Sequence, residues 1–177
     1  MSEDHSEGFL PNAHAGPAWE RARELLVQPY RDDASLAAVR EEMAVRDLLH
    51  RYHYSWDQRD LDGILGHFTD DCVITDQGGV TTAGIAAIRA RYERQMETTD
   101  HRFHLLSNII VRLAADLRSG EVTWYHYAVL QKAGALPLGH GGLVADRVVK
   151  RDGEWKISAR STGVDLIHPI AATPAGD

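Results

Sequence analysis

Residues 142–165, GLVADRVVKRDGEWKISARSTGVD, carry the pattern that decides the fold. Gly142–Lys150 and Trp155–Asp165 both have strand composition, and Arg151-Asp152-Gly153 lies between them. An Asp-Gly step between such runs is a strong hairpin signal, because both residues tolerate the positive φ of a tight turn. Moving back along the chain, Gly134–Gly141 and Asp116–Gly120 separate two further strand-like runs, Glu121–Lys132 and Phe103–Leu113. Four such runs in succession predict an antiparallel meander.

Upstream of His101 the period is helical. Ser35–Arg59 is the clearest helix: Ser35 can cap it, and Val45, Leu48, Leu49, Tyr52 and Trp56 form one apolar stripe. Asp60 and Asp62 mark a break before a short helix over Leu61–Phe68. Cys72–Thr75 and Val80–Thr82 read as short strands, and Gly84 opens a helix that runs to about Glu97. Helices followed by a meander predict an α+β domain with three helices on one face of a bent sheet, enclosing an apolar pocket. This domain is expected over 35–168, after an arm over 1–34 and before a tail over 169–177. In the arm, Pro17–Gln28 predicts a short helix. It covers a pocket mouth or a partner subunit, or lies detached on the surface; the pattern leaves these open.

The bulk properties narrow the function. A net charge of −7 argues against wrapping nucleic acid or lying on an anionic membrane. No stretch has the length and apolarity of a membrane span, and residues 1–8 lack the marks of a secretory signal. The lone Cys72 offers no disulfide framework, which fits a reducing cytoplasm, and reads as a buried core residue. A zinc site needs three or four converging ligands. His101 and His104 fall on opposite faces of a strand, so no metal is expected. No phosphate-binding glycine motif precedes a helix, and no other cofactor is implied.

Four residues stand out as catalytic candidates. Asp57 lies one turn beyond His53, at the edge of the apolar stripe, and Tyr52 sits within that stripe. His104 shares a strand face with Leu106, Asn108 and Ile110, an unusual mix of polar and apolar side chains that suits a pocket wall. His126 shares a face with Trp124, but both faces of its strand look buried, so periodicity does not say which meets the pocket. Trp56, Trp124, Phe103, Asn108 and Leu106 are the candidate substrate contacts, the aromatics suiting a flat partner.

The order and spacing of several pieces resemble the SnoaL-like branch of the NTF2-like superfamily, which includes scytalone dehydratase and bile-acid 7α-dehydratase. The pieces are Val45–Tyr52, Asp57–Asp60, Phe68–Val73, Gly84 with Ile88, His104–Asn108 and Asp146–Ile157; together they span about Leu36 to Ile167. The resemblance implies a cone-shaped domain, usually a homodimer through its sheet. It also implies a hydrophobic small-molecule substrate, such as a polyketide-like secondary metabolite. In the dehydratases of this branch a helix Asp and its upstream Tyr work with a strand His; the matches are Asp57, Tyr52 and His104, with His126 matching a second His. One departure is Val144, where many relatives carry tyrosine. The implied chemistry is cofactor-free dehydration, cyclisation or isomerisation. An epoxide-opening hydrolase or a non-catalytic binding protein is the alternative.

Overall fold

The computed structural model describes residues 10–29, 35–135 and 137–170. The tail expected over 169–177 lies mostly outside these residues. The helices are α1 (Pro17–Leu26), α2 (Leu36–Asp57), α3 (Leu61–Gly66) and α4 (Ile85–Glu97). The strands are β1 (Phe68–Thr75), β2 (Thr81–Ala83), β3 (His101–Leu113), β4 (Ser119–Gln131), β5 (Leu138–Arg151), β6 (Glu154–Thr162) and β7 (Leu166–Pro169). They form one mixed sheet in the order β2-β1-β6-β5-β4-β3, with β7 paired to β5. The meander β3–β6 is antiparallel throughout, and β1 runs parallel to β6. This is the expected α+β cone.

Local chemistry explains the boundaries. The Ser35 hydroxyl accepts from the Ala38 N–H at 3.1 Å and starts α2; Asp60 does the same for α3 through the Gly63 N–H at 2.9 Å. Asp152 and Gly153 have φ of 50° and 87°, the primed turn expected between β5 and β6. Several boundaries differ from the sequence reading: β1 begins at Phe68 rather than Cys72 and so takes the end of the expected helix over Leu61–Phe68, β5 begins at Leu138 rather than Gly142, β6 ends at Thr162 rather than Asp165, and β7 follows it as a further short strand. Between these strands the Gly163 carbonyl lies over Gly142, where an added Cβ would sit 2.1 Å from its oxygen. Only glycine admits that approach.

The two faces of the sheet do different things. Val45, Leu48, Leu49, Tyr52 and Trp56 of α2, with Ile88 and Tyr92 of α4, pack on Val122, Trp124, Val144 and Val148 of the inner face. Burial of one such aliphatic or aromatic side chain is worth about 1.5–3 kcal/mol, so this contact sets the helix positions. Cys72 is buried in it, and burial pushes its thiol up to about 12, as suits a core residue.

Helix α1 settles the open question of the arm: it covers part of the outer face, not the inner one. Ala18, Ala22 and Trp19 pack on Leu143, and Arg21 pairs with Glu121 at 3.1 Å. Asp165 is 4 % exposed and latches the arm; its carboxylate accepts from the Trp19 indole N–H (2.9 Å) and the His14 backbone N–H (2.7 Å). The outer-face cover expected from a second subunit is thus supplied in part by the chain itself. No described helix is long and apolar enough to cross a membrane.

Candidate active site

Asp57 is the last residue of α2, and the helix end is pinned where it meets β3. Arg59, at φ 59°, donates to the carbonyls of Thr99 (2.6 Å) and Met96 (3.0 Å), tying the end of α2 to the end of α4. A carboxylate at a helix C-terminus faces the negative end of the helix dipole, a cost of about 0.3–1 kcal/mol at exposed sites. Here two donors offset it. The His104 ring Nδ1–H donates to Asp57 Oδ1 at 2.6 Å, and the His104 backbone N–H donates to Oδ2 at 3.3 Å. A carboxylate only accepts, so Nδ1 carries the proton and Nε2 is left with its lone pair. The His104 side chain is 9 % exposed and that of Asp57 25 %. Burial lowers the His104 pKa and outweighs Asp57, which pulls it up. The ring is therefore neutral at physiological pH, with its basic nitrogen unbonded among the described residues.

Three more imidazoles gather beside it. His53, one turn before Asp57 on α2, packs its ring 5.1 Å from His104 and donates Nδ1–H to the Leu49 carbonyl at 2.8 Å. Across the sheet, His104 of β3 stands opposite Ala128 of β4, which stands opposite His140 of β5. One rung along, Leu106 faces His126, and His126 faces Gly142. Directly paired residues project to one side, so these side chains share the inner face with Trp124. The His126 and His140 rings are 5.2 Å apart. Burial, and then the neighbouring cationic groups, push His126 down to about 3 and His140 to about 4; burial chiefly lowers His53 well below its ordinary value. Buried His126 Nδ1 has no hydrogen-bond partner among the described residues.

On the same face Asp146 and Arg160 are buried and paired with each other. Arg160 donates through Nε and Nη2 to the two oxygens of Asp146, at 2.7 and 2.8 Å, and the Trp124 indole N–H donates to Asp146 at 3.2 Å. Burial works against the Arg160 charge, but Asp146 more than offsets it and holds the guanidinium ionised. Arg160 lies 4.3 Å over the Tyr52 ring.

The candidates from sequence fall into three groups. Asp57, His104 and His126 come together with Leu106 and Trp124. Tyr52 is in the core beneath them: its hydroxyl pairs with that of Tyr92 at 3.3 Å rather than with the Asp57–His104 pair. Trp56 is buried against Tyr92, with the Arg102 guanidinium 4.8 Å over its ring. Phe103 and Asn108 stand apart. Phe103 neighbours His104 along the strand, so it points to the outer face, 57 % exposed. Asn108 sits at φ 52° where the β3–β4 register slips between Ser107 and Ile110. That bulge ends the alternation from His104, so Asn108 is exposed, and Ile109 and Val111 take the inner positions in place of Ile110.

Sequence reasoning does not single out His53, His140, Asp146 or Arg160. His53 lies on the same stripe as Leu49, Tyr52 and Trp56. His140 hides in a run that reads as a turn, although Leu138, His140, Gly142 and Val144 alternate as a strand should.

On the inner face Leu49, Tyr52, His53 and Trp124 are buried, and the partly exposed His104, His126 and His140 lie beside them. Two surface hollows of about 330 and 340 Å³ lie instead on the outer side, lined by Arg147 and Ser158 among others. They contain none of the clustered histidines, so hollow size does not locate the chemistry; the buried, under-bonded groups do. Among the described residues no group of three or more His, Cys, Asp or Glu is arranged to hold a metal ion.

This fold has known counterparts. The SnoaL-like domain family matches residues 37–161, and the chain belongs to that family. It is similar to a candidate scytalone dehydratase from Novosphingobium aromaticivorans: 23 % identity, TM-score 0.68, covering 80 % of this chain and 97 % of that one. It is also similar to a hexachlorocyclohexane dehydrochlorinase, LinA type 2 (17 % identity, TM-score 0.66, 80 % and 99 % covered). A third is Aln2 from a Streptomyces species (20 % identity, TM-score 0.62, 70 % and 89 % covered). No curated protein matches the chain.

Proposed function

We propose that this protein is a cofactor-independent acid–base enzyme that eliminates water from, or isomerises or cyclises, a hydrophobic oxygenated small molecule. The observation that carries this is the 2.6 Å bond from His104 Nδ1 to Asp57, which fixes one tautomer and aims a neutral, basic Nε2 away from the carboxylate. In the proposed step Nε2 takes a proton from a carbon next to a carbonyl. The C–H electron pair becomes an enolate, and Asp57 stabilises the imidazolium that forms. The His126 ring offers an N–H to the enolate oxygen. In an elimination the hydroxyl on the next carbon then leaves, taking the proton held on His104, so that water is lost and a double bond remains. The neighbours lend support: a dehydratase and a dehydrochlorinase are both named for the loss of a small molecule from their substrate. Tyr52 keeps a supporting role, its ring and hydroxyl closing the inner end of the site.

The test is Asp57→Asn against a panel of cyclic hydroxyketones. Loss of most turnover with an unchanged melting curve is expected, since general acid–base help is worth about 10²–10⁴-fold. Wild-type turnover by this variant would rule the pair out. Epoxide opening is the second reading, and ¹⁸O-labelled water separates it, because only hydrolysis puts label into product. A dimer through the outer face of the sheet is proposed as well. Phe103, Leu105 and Tyr125 are its exposed apolar residues, and sedimentation equilibrium of the full chain decides it.

A further inference from the structure

We infer that His126 and His140 together form a hydroxyl-binding site, which makes the substrate an uncharged, hydroxylated ring compound and makes His140 a specificity-determining residue. The inference rests on the reading of His104 as the base, and adds a second ligand group beside the enolate oxygen: a hydroxyl whose proton the His126 lone pair accepts and whose oxygen the His140 N–H holds.

Three observations carry it. First, the His126 and His140 rings meet at 5.2 Å and 67°, an edge contact rather than a stack. Second, neither ring is hydrogen-bonded among the described residues, and His126 Nδ1 is buried without a partner. Buried polar atoms are nearly always paired, so an orphan beside partly exposed imidazoles marks a place where a ligand atom completes the pairing. Third, the sheet register puts only a small side chain between the two sites: Ala128 separates His104 from His140.

The chemistry selects the ligand group. A neutral imidazole has one N–H donor and one lone pair. Two of them at one point can accept a hydroxyl's proton and donate to its oxygen at once. An ether oxygen can use only the donor. A carboxylate can use only donors too, and it would bring charge to a place whose burial already suppresses charge on all four histidines.

The experiment uses the full chain with ¹⁵N-labelled histidine, titrated at pH 7 with 2-naphthol, 2-methoxynaphthalene and 2-naphthoate. We expect 2-naphthol to shift the ring nitrogens of both His126 and His140. It should bind about tenfold tighter than its methyl ether, the scale of one buried hydrogen bond left unmade. His140→Phe should bring the two affinities together, and His140→Gln, which keeps a polar partner, should hold most of the difference. Equal binding of 2-naphthol and its ether would overturn the inference. So would a preference for 2-naphthoate, or 2-naphthol shifts absent from His126 and His140. The result is separable from the proposed catalysis: Asp57→Asn leaves this discrimination in place whether or not it abolishes turnover.

Discussion

The inner face of the sheet has two polar regions, and they are built on opposite rules. At one, Arg160 and Asp146 are buried, doubly bonded to each other and joined by the Trp124 indole. At the other, four histidines gather and only His104 among them bonds a carboxylate, while His126 keeps a buried nitrogen with no partner among the described residues. A satisfied buried network specifies a core; an unsatisfied one costs stability and persists where a ligand completes it. The first region is therefore expected to govern folding and the second chemistry, and each can be broken on its own.

The largest expected effect is the loss of turnover in Asp57→Asn, about 10²–10⁴-fold, with the unfolding midpoint little changed. Arg160→Met should behave in reverse. Removing one partner of a buried ion pair costs about 3–5 kcal/mol, read as a lower urea midpoint. A variant as stable as wild type would erase the contrast between the two regions. A smaller effect separates them by pH. Unfolded histidines take up protons near pH 6.5, whereas His140 and His126 in the fold do so only near 4 and 3. Between those values the unfolded chain binds more protons, so stability is complete above about pH 6.5 and falls as the pH drops. The slope is at most about 1.4 kcal/mol per pH unit for each histidine. His140→Gln should flatten it between pH 4 and 6.5, as followed by urea denaturation. The smallest effect belongs to the outer face. Trp19→Phe removes one hydrogen bond to Asp165, worth about 1.5 kcal/mol. It should speed amide exchange in α1 and leave the histidine resonances where they are.

Much of this division is legible in the sequence, and the exceptions have physical reasons. The α2 stripe and the Asp-Gly turn declare the fold, because helical and strand periods are local properties. Asp57 and His104 can be paired only through family resemblance, since 47 residues separate them. Alternation misplaces Asn108 because a bulge moves every later side chain to the other face, and no residue type announces the slip. His140 escapes notice because glycines on either side mimic a loop, whereas Gly142 is there to admit the Gly163 carbonyl. The arm's destination is illegible, because its small apolar face would fit either side of the sheet; the buried Asp165 is what selects one.

Long-range ¹H–¹⁵N spectra of the His104 ring at pH 7 test the central claim without any substrate. A neutral ring protonated at Nδ1, changing to a mixed tautomer in Asp57→Asn, is the expected result. A wild-type ring that is protonated at Nε2, or doubly protonated, would contradict it.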